Sequence, residues 1–287
     1  PPDYSSAASD VYKRQVWAEN GLEIIGQPVA DGIGFQPAAT KLARDLQWLD
    51  GMVLIIITAI TVFVLGLLAY VIFRYNRKAN PVPETFTHNS PVEVAWTVIP
   101  IVILVFIGAF SLPVLFDQQK IPEGEVNIKV TGYQWYWGYE YVDEGFEFES
   151  FLIGEGKVLT PEVELELQEA GYTRDQFLLA TDTAVVVPVD KTVVMQVTGA
   201  DVIHSWTIPA FGVKQDAVPG RLGQLWFKAE KEGIYFGQCS ELCGKDHAYM
   251  PITVKVVSQD DYNAWLSAAK SEYAGTPESY NLAKVAK

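Results

Sequence analysis

The side chains best suited to bind a metal are concentrated in one short stretch near the C-terminal end. This stretch contains both cysteines of the chain, Cys239 and Cys243, one of its three histidines, His247, and one of its three methionines, Met250. A further histidine, His204, lies upstream between apolar residues. Because thiolate, thioether and imidazole ligands together favour copper, these five residues predict a copper site.

Three other arrangements are compatible with part of this residue set. A disulfide between Cys239 and Cys243 would close a very small loop and leave both histidines without a role. A tetrahedral zinc site could use the two cysteines and the two histidines, but it has no need of Met250. A mononuclear blue-copper site takes two histidines, one cysteine and a weak methionine ligand, so it leaves one cysteine unused.

A pair of copper ions would use every soft ligand in the stretch. Two thiolates can bridge two ions, and each ion then takes one imidazole and one weak axial group. The backbone carbonyl near Glu241 could supply the second weak contact. Bridging sulfurs would spread one electron over both metals, so little geometry would change on reduction. Such a site suits electron transfer rather than chemistry on a substrate.

The charge of the chain is strongly acidic and unevenly distributed. The formal net charge is −14, from 21 basic and 35 acidic residues. From Asp117 to the end there are 26 acidic and 14 basic residues, a net charge of −12. A phosphate backbone needs a basic footprint, which excludes nucleic acid as the expected partner. A basic protein attracted over long range is the partner that this charge favours.

Two uncharged runs of 22 residues, Met52–Phe73 and Ala95–Phe116, are long enough to cross a membrane. As a helix each run is about 33 Å long, which exceeds a hydrocarbon core of about 30 Å. Arg74, Arg77 and Lys78 follow the first run, and the positive-inside tendency places this loop in the cytoplasm or matrix. The sequence therefore predicts an antiparallel pair of spans with the acidic region outside.

Beyond Glu125 the apolar residues alternate with polar ones in short runs, which is typical of a β-sandwich or barrel. Residues 133–141 contain six aromatic side chains, and a single strand here would place alternate aromatics on one face. Short helices are predicted at 160–171 and from Ser258 to about Lys270. The predicted strands are 126–131, 192–198, 222–228, 233–237 and 252–257.

These patterns divide the chain into five segments. Residues 1–15 lack an initiator Met and the apolar run of a secretory signal, and we interpret them as a non-native leader. The other four segments are an extramembrane arm at 16–45, a two-helix anchor at 46–117 with its loop at 74–94, a copper domain at 118–258, and a helix with a tail at 259–287.

The motif Cys-Ser-Glu-Leu-Cys at 239–243, followed by His247 and Met250 and preceded by Asp-Val-Ile-His-Ser-Trp at 201–206, resembles cytochrome c oxidase subunit II. The resemblance runs from about Gly21 to Val257. It implies a cupredoxin-like Greek-key domain behind a two-helix membrane anchor. It also implies a binuclear copper A centre that takes electrons from cytochrome c and passes them to a haem in subunit I, where oxygen is reduced to water with proton pumping.

The same resemblance implies a role for individual residues. The implied copper ligands are His204, Cys239, the Glu241 carbonyl, Cys243, His247 and Met250. Trp135 would accept the electron, the Glu241 carboxylate would reach a magnesium ion shared with subunit I, and Glu93 would stand at the entrance of a proton path. The acids implied in cytochrome c docking are Glu140, Glu149, Asp182 and Asp201. Each of these roles has a simpler alternative. The aromatic residues could only pack the core, and the four acids could be ordinary solvated carboxylates. Glu93 could do no more than interact favourably with the dipole at the start of its helix.

The implied setting is a bacterial inner membrane with the copper domain in the periplasm, and the alternative is a mitochondrial inner membrane facing the intermembrane space. Subunits I and III and membrane lipid are the expected neighbours. Two rival hypotheses remain at this stage. A quinol oxidase subunit would share the helices and the sandwich but would not need Cys239, Cys243, His247 and Met250. A membrane-anchored zinc module would use only the cysteines and histidines.

Overall fold

The computed structural model describes residues 21–82, 84–154 and 157–273. The chain forms two compact units, of which one comprises residues 45–117 and the other combines the segments before and after it. The predicted leader at 1–15, the first residues of the predicted arm and the tail beyond residue 273 lie outside the described residues.

The smaller unit consists of two long helices, α1 (Lys41–Arg74) and α2 (Ser90–Gln119). Their apolar side chains are exposed, and both helices are long and apolar enough to cross a membrane. Each helix extends beyond its predicted span because polar residues continue it at both ends. The 34 residues of α1 reach about 50 Å, more than a hydrocarbon core of about 30 Å requires. Pro100 and Pro113 lie inside α2 without ending it.

Part of the predicted N-terminal arm belongs to the larger unit. Residues Ile24–Gly26 form strand β1, and α1 already begins within the predicted arm. The Thr40 hydroxyl donates to the Phe211 carbonyl at 2.7 Å, and the Arg44 guanidinium donates to both carboxylate oxygens of Glu230 at 2.6 and 2.9 Å. The arm is therefore fastened to the β-sheet domain through its side chains.

The larger unit is built mainly from strands, including every strand that the sequence predicts. Its two helices are α3 (Pro161–Glu169) and α4 (Gln259–Tyr273), which Thr160 and Ser258 cap as expected. Short 3-10 turns lie at Arg174–Gln176, Pro209–Phe211 and His247–Tyr249. The remaining strands are β2 (Val126–Tyr133), β3 (Tyr136–Tyr141), β4 (Phe146–Ser150), β5 (Val185–Pro188), β6 (Thr192–Gly199), β7 (His204–Ile208), β8 (Val213–Ala217), β9 (Gly223–Lys228), β10 (Gly233–Gln238) and β11 (Pro251–Val257).

The strands form a sandwich on one apolar core. One sheet has the order β4-β3-β2-β6-β9, the other has the order β1-β10-β11-β5, and β7 and β8 form a separate ribbon. Alternate residues of β2 and β4 are buried, as a strand with one face on a core requires. The Tyr141 hydroxyl on β3 donates to the Val186 carbonyl on β5 at 2.7 Å and so joins the two sheets. This architecture confirms the predicted β-sandwich behind a two-helix membrane anchor.

The aromatic stretch at 133–141 is not a single strand, and the prediction of one shared face is wrong. A turn at 134–135 separates β2 from β3. Trp137, Tyr139 and Tyr141 point into the core, whereas Tyr133 stacks on Tyr136 with ring centroids 4.7 Å apart. Trp135 lies in the turn and is partly buried. The reversal of the chain removes Trp135 from the core face and places it at the end of the sandwich.

Candidate metal centre

The ligand loop, residues 239–250, links two adjacent strands. Its base is closed because Gln238 on β10 pairs with Pro251 on β11, and the Cys239 amide donates to the Met250 carbonyl at 3.3 Å. A methyl group added at Gly237 would lie 1.8 Å from the Thr207 carbonyl oxygen, so only glycine lets β10 lie this close to β7. The strand that contains His204 is thereby held against the strand that leads into the loop.

Four of the predicted ligands form a compact group of donor atoms. The Sγ atoms of Cys239 and Cys243 lie 3.9 Å apart. The Cys239 sulfur lies 3.9 Å from Nδ1 of His204, and the Cys243 sulfur lies 3.5 Å from Nδ1 of His247. Both cysteines are free, and a disulfide would require sulfurs about 2.05 Å apart. The structure therefore contains two thiols, each with its own imidazole neighbour.

The remaining two predicted donors complete the group. The thioether sulfur of Met250 lies 3.5 Å from the Cys243 sulfur, and the Glu241 carbonyl oxygen lies 3.3 Å from the Cys239 sulfur. Met250 is 1% exposed, and the Trp137 indole donates to its carbonyl at 3.3 Å. Two thiols, two imidazole nitrogens, a thioether and a carbonyl form a soft donor set that fits copper. A zinc site would leave the buried thioether without a use.

Asp201 fixes the orientation of the His204 ring. Its carboxylate lies 2.9 Å from Nε2 of His204, which leaves Nδ1 facing the Cys239 sulfur. Burial opposes ionisation of Asp201, but hydrogen bonds from His204 and from two backbone amides outweigh it and lower the pKa of this carboxyl. A carboxylate behind a ligating imidazole is the usual arrangement for holding such a ring. Asp201, expected from the sequence only as a docking acid, thus contacts a predicted ligand.

The two thiols differ in their tendency to ionise. Burial opposes ionisation of Cys239, but hydrogen bonds from His204 and from backbone amides outweigh it and lower the pKa of this thiol to about 7. The pKa of Cys243 is raised, by burial and by the neighbouring Cys239 charge. One thiolate is therefore available near neutral pH, and a metal cation would favour ionisation of the second.

Trp135 lies directly beside the ligand loop. Its indole nitrogen donates to the Cys243 carbonyl at 3.3 Å, and the Gln134 side chain donates to the same oxygen at 2.8 Å. The Lys245 ammonium lies 5.4 Å from the centroid of a Trp135 ring. Gln134 and Lys245 were not identified from the sequence, where no spacing rule marks them.

The other predicted docking acids lie outside the group of donor atoms. Glu140 forms an ion pair with Lys129 at 2.8 Å, while the Asp182 carboxylate accepts two backbone amides at 2.7 and 2.8 Å. Glu140 and Glu149 line a groove of about 500 Å³, and Glu147, which the sequence analysis did not single out, lies beside them. The groove is acidic because alternate residues of two adjacent strands point out of the sandwich.

The side chains of Glu241 and Glu93 are not part of the donor group. The Glu241 side chain is exposed, although its carbonyl faces Cys239. Glu93 lies in the helical unit, where its carboxylate accepts the Asn89 amide at 3.3 Å at the start of α2. This bond is the ordinary helix-start role that was weighed against a proton path.

Comparison with known proteins places both units in one family. Residues 126–257 match the family model described as cytochrome c oxidase subunit II, periplasmic domain, and residues 28–114 match the model of its transmembrane domain. Cytochrome c oxidase subunit 2 of Cereibacter sphaeroides is 67% identical over 257 residues, which cover 88% of this chain and 85% of the relative.

A more distant relative agrees. A probable cytochrome c oxidase subunit 2 of Rickettsia prowazekii is 44% identical, covering 89% of this chain and 78% of the relative. The crystal structure of the periplasmic domain of subunit II of cytochrome oxidase of Bradyrhizobium japonicum is 47% identical, covers 53% of this chain and 99% of that one, and has a TM-score of 0.45. On the family models and the high identity over most of its length, the chain belongs to the cytochrome c oxidase subunit II family.

Proposed function

We propose that this chain is the subunit of a cytochrome c oxidase that accepts electrons one at a time from cytochrome c and passes them to a haem in subunit I. Oxygen is reduced to water there, and the reaction is coupled to proton pumping. The observation on which the proposal rests is the pair of buried thiols 3.9 Å apart, each beside its own imidazole nitrogen. This chain supplies the electron relay, whereas the haem belongs to the partner subunit.

The donor group supports two copper ions rather than one. Cys239 and Cys243 would be shared between the ions, with His204 and His247 as the separate nitrogen ligands. The Met250 thioether and the Glu241 carbonyl would complete the set as weak ligands. When bound, such a copper pair would take up and release a single electron shared between its two ions. The short loop between paired strands keeps the ligands fixed, which favours fast electron transfer because little reorganisation is needed.

Trp135 is the residue through which the electron would arrive. Its ring is partly exposed at the end of the sandwich, and its indole nitrogen bonds to the carbonyl of Cys243, a proposed ligand. The acidic groove with Glu140 and Glu149 would attract the lysines of a basic cytochrome c, together with Asp182. Such charges are expected to change the association rate and its salt dependence more than the affinity.

The residues that face away from the donor group would meet the partner subunits. His247 is partly buried and turns Nδ1 towards Cys243, so its other nitrogen can donate towards subunit I. The exposed Glu241 carboxylate is an oxygen ligand of the kind that magnesium prefers, and we propose that it shares this ion with subunit I. Glu93 is proposed at the entrance of a proton path, and subunit III as a further neighbour.

The two apolar helices anchor the chain in a membrane. We propose a bacterial inner membrane with the copper domain in the periplasm. A mitochondrial inner membrane is the alternative. The basic residues after α1 support this orientation.

Substitution of Trp135 tests the proposed electron path. In the purified oxidase complex, Trp135→Ala should leave the optical and electron-spin spectra of the copper centre intact and slow its reduction by cytochrome c severely. Trp135→Phe should give an intermediate rate, since it keeps an aromatic ring and loses the bond to the Cys243 carbonyl. Stopped-flow reduction at low and high salt measures both variants. An unchanged rate for Trp135→Ala would remove this residue from the path.

A further inference from the structure

The segment at residues 157–182, which we call the capping segment, covers one face of the sheet that holds the ligand loop. Leu167, Tyr172 and Ala180 of this segment pack with Ile234 and Phe236 of β10 in a second apolar cluster. Its far end is joined to the chain that follows β4 by backbone bonds, including Ile153 N–H to the Ala180 carbonyl at 3.2 Å. The capping segment is therefore a fixed element beside the strand that leads into the loop.

One side chain of the capping segment crosses to the ligand loop. The Lys157 ammonium forms an ion pair with the Asp246 carboxylate and lies 4.3 Å from the centroid of the Tyr249 ring. Asp246 precedes the 3-10 turn that contains His247, and Tyr249 is the last residue of that turn. A single ammonium group thus contacts the loop on both sides of a proposed copper ligand.

The turn has little other support from side chains. The Asp246 carboxylate makes no capping bond to the backbone of the turn, and none of the three residues of the turn is buried. Its backbone bonds are the His247 amide to the Gly244 carbonyl at 3.3 Å and the Tyr249 amide to the Asp246 carbonyl at 2.8 Å. Both bonds lie within the loop, and the side chains of Gln134, Trp135 and Trp137 hold the carbonyls of Cys243 and Met250 on either side of the turn. The Lys157 contacts add a support from a separate element to Asp246 and to Tyr249 of the turn itself.

The backbone of Lys157 supports a specific role for this residue. Its φ angle is +55°, in the left-handed region where a residue with a β-carbon is uncommon. The Lys157 amide donates to the Gly154 carbonyl at 3.1 Å, and this bond holds the Lys157 backbone beside the loop. About a third of the Lys157 side chain and a quarter of the Asp246 side chain are exposed, so solvent only partly screens the ion pair.

We propose that Lys157 is a positioning residue for His247, which it holds in place through Asp246 and Tyr249. The inference rests on the proposed copper function, because it assigns to the capping segment the task of fixing one ligand of that centre. Outer residues that orient a metal ligand typically change metal affinity by about 10- to 100-fold when they are replaced. Loss of Lys157 should therefore loosen the metal at the His247 side and leave the His204 side unchanged.

The test compares variants of the complete oxidase complex. Lys157→Met removes the charge and keeps much of the side-chain length, Asp246→Asn breaks the same ion pair from the loop side, and Lys157→Arg restores the charge. Lys191→Met is the matched control, because it removes an ion pair with Glu125, at 2.9 Å, elsewhere in the same domain. Copper per chain, the electron-spin spectrum of the centre, and the rate of copper loss to a chelator are measured for each.

Lys157→Met and Asp246→Asn should assemble with two coppers, show altered nitrogen and copper hyperfine splittings, and lose copper roughly tenfold faster than the wild type. Lys157→Arg should restore the wild-type spectrum and rate, and Lys191→Met should not differ from the wild type. Unchanged spectra and loss rates in both Lys157→Met and Asp246→Asn would overturn the inference. A wild-type complex without a binuclear copper spectrum would instead contradict the proposed function, and this inference with it.

Discussion

At Gly132 on β2, the addition of a single methyl group should disturb the metal centre directly. A methyl group added there would lie 2.9 Å from Cγ and Cδ2 of the His204 ring. Carbon atoms in ordinary contact are about 3.5–4.0 Å apart, so the ring would have to move by about 0.6–1.1 Å. Metal–ligand distances tolerate changes of only about 0.2 Å. Gly132→Ala should therefore remove His204 from the ligand set unless the strand itself moves.

The cost to the fold should be much smaller than the cost to the site. Overpacking a core typically destabilises by about 1–3 kcal/mol. The loss of backbone freedom in the unfolded chain offsets about 0.4–1 kcal/mol when alanine replaces glycine. The net change in the free energy of unfolding is then at most about 3 kcal/mol, which a domain of ordinary stability survives.

Gly138→Ala is the matched control. Gly138 lies on the neighbouring strand β3, and its added methyl would lie 3.1 Å from the partly exposed Tyr133 ring and in ordinary contact with the Thr131 carbonyl oxygen at 3.8 Å, so it meets no predicted ligand. Copper content and the electron-spin spectrum are measured in both purified variants. We expect Gly132→Ala to lose copper or the spectrum of a shared electron, and Gly138→Ala to retain both. Two coppers and an unchanged spectrum in Gly132→Ala would refute the reasoning that a methyl group at this position displaces the His204 ring from the metal.

Three further substitutions test other parts of the structure. Asp201→Asn should lower copper affinity by about 10- to 100-fold in a chelator competition, since the carboxylate orients His204; unchanged affinity with slower cytochrome c association would make Asp201 a docking residue only. Tyr141→Phe should lower the free energy of unfolding by about 1–3 kcal/mol in denaturant titrations, because the buried amide and carbonyl of Val186 both lose their hydrogen bond to the hydroxyl. The copper spectrum should not change. Burial lowers the pKa of Lys255 to about 8 from its ordinary 10.5, so its charge opposes folding below pH 8, and the penalty fades as the pH rises towards 10.5. Lys255→Met should thus raise stability at pH 7, by up to about 3 kcal/mol, and the gain should shrink at pH 10; a gain that does not depend on pH would show that the charge is not its cause.

The sequence predicted which donor atoms come together because most of them are local. Cys239, Cys243, His247 and Met250 lie in one loop, and soft ligands at this spacing have few other uses. His204 was recognised as the distant member because it lies between apolar residues that read as a strand. The strands and both membrane helices could be predicted from periodicity and from uncharged length, which the folded chain follows closely.

The contacts around the ligands could not be predicted in the same way. Gln134 contacts Cys243, 109 residues away, and Lys157 contacts Asp246, 89 residues away, and no spacing rule marks such pairs. Asp201 is only three residues from His204, but their contact depends on the bend between them. The aromatic stretch at 133–141 was misread because period-two alternation continues across a turn, so the pattern does not reveal the reversal. The attachment of the N-terminal arm to the β domain could not be predicted, because a strand of three residues has too little pattern to detect.

The central claim is that Cys239 and Cys243 are shared by two copper ions. It is tested most directly by metal analysis of the purified complex together with the optical and electron-spin spectra of the oxidised centre. Two coppers in this chain, with one unpaired electron divided equally between two copper nuclei, are the predicted result. Zinc, a single copper with a mononuclear spectrum, or a disulfide with no metal would contradict it.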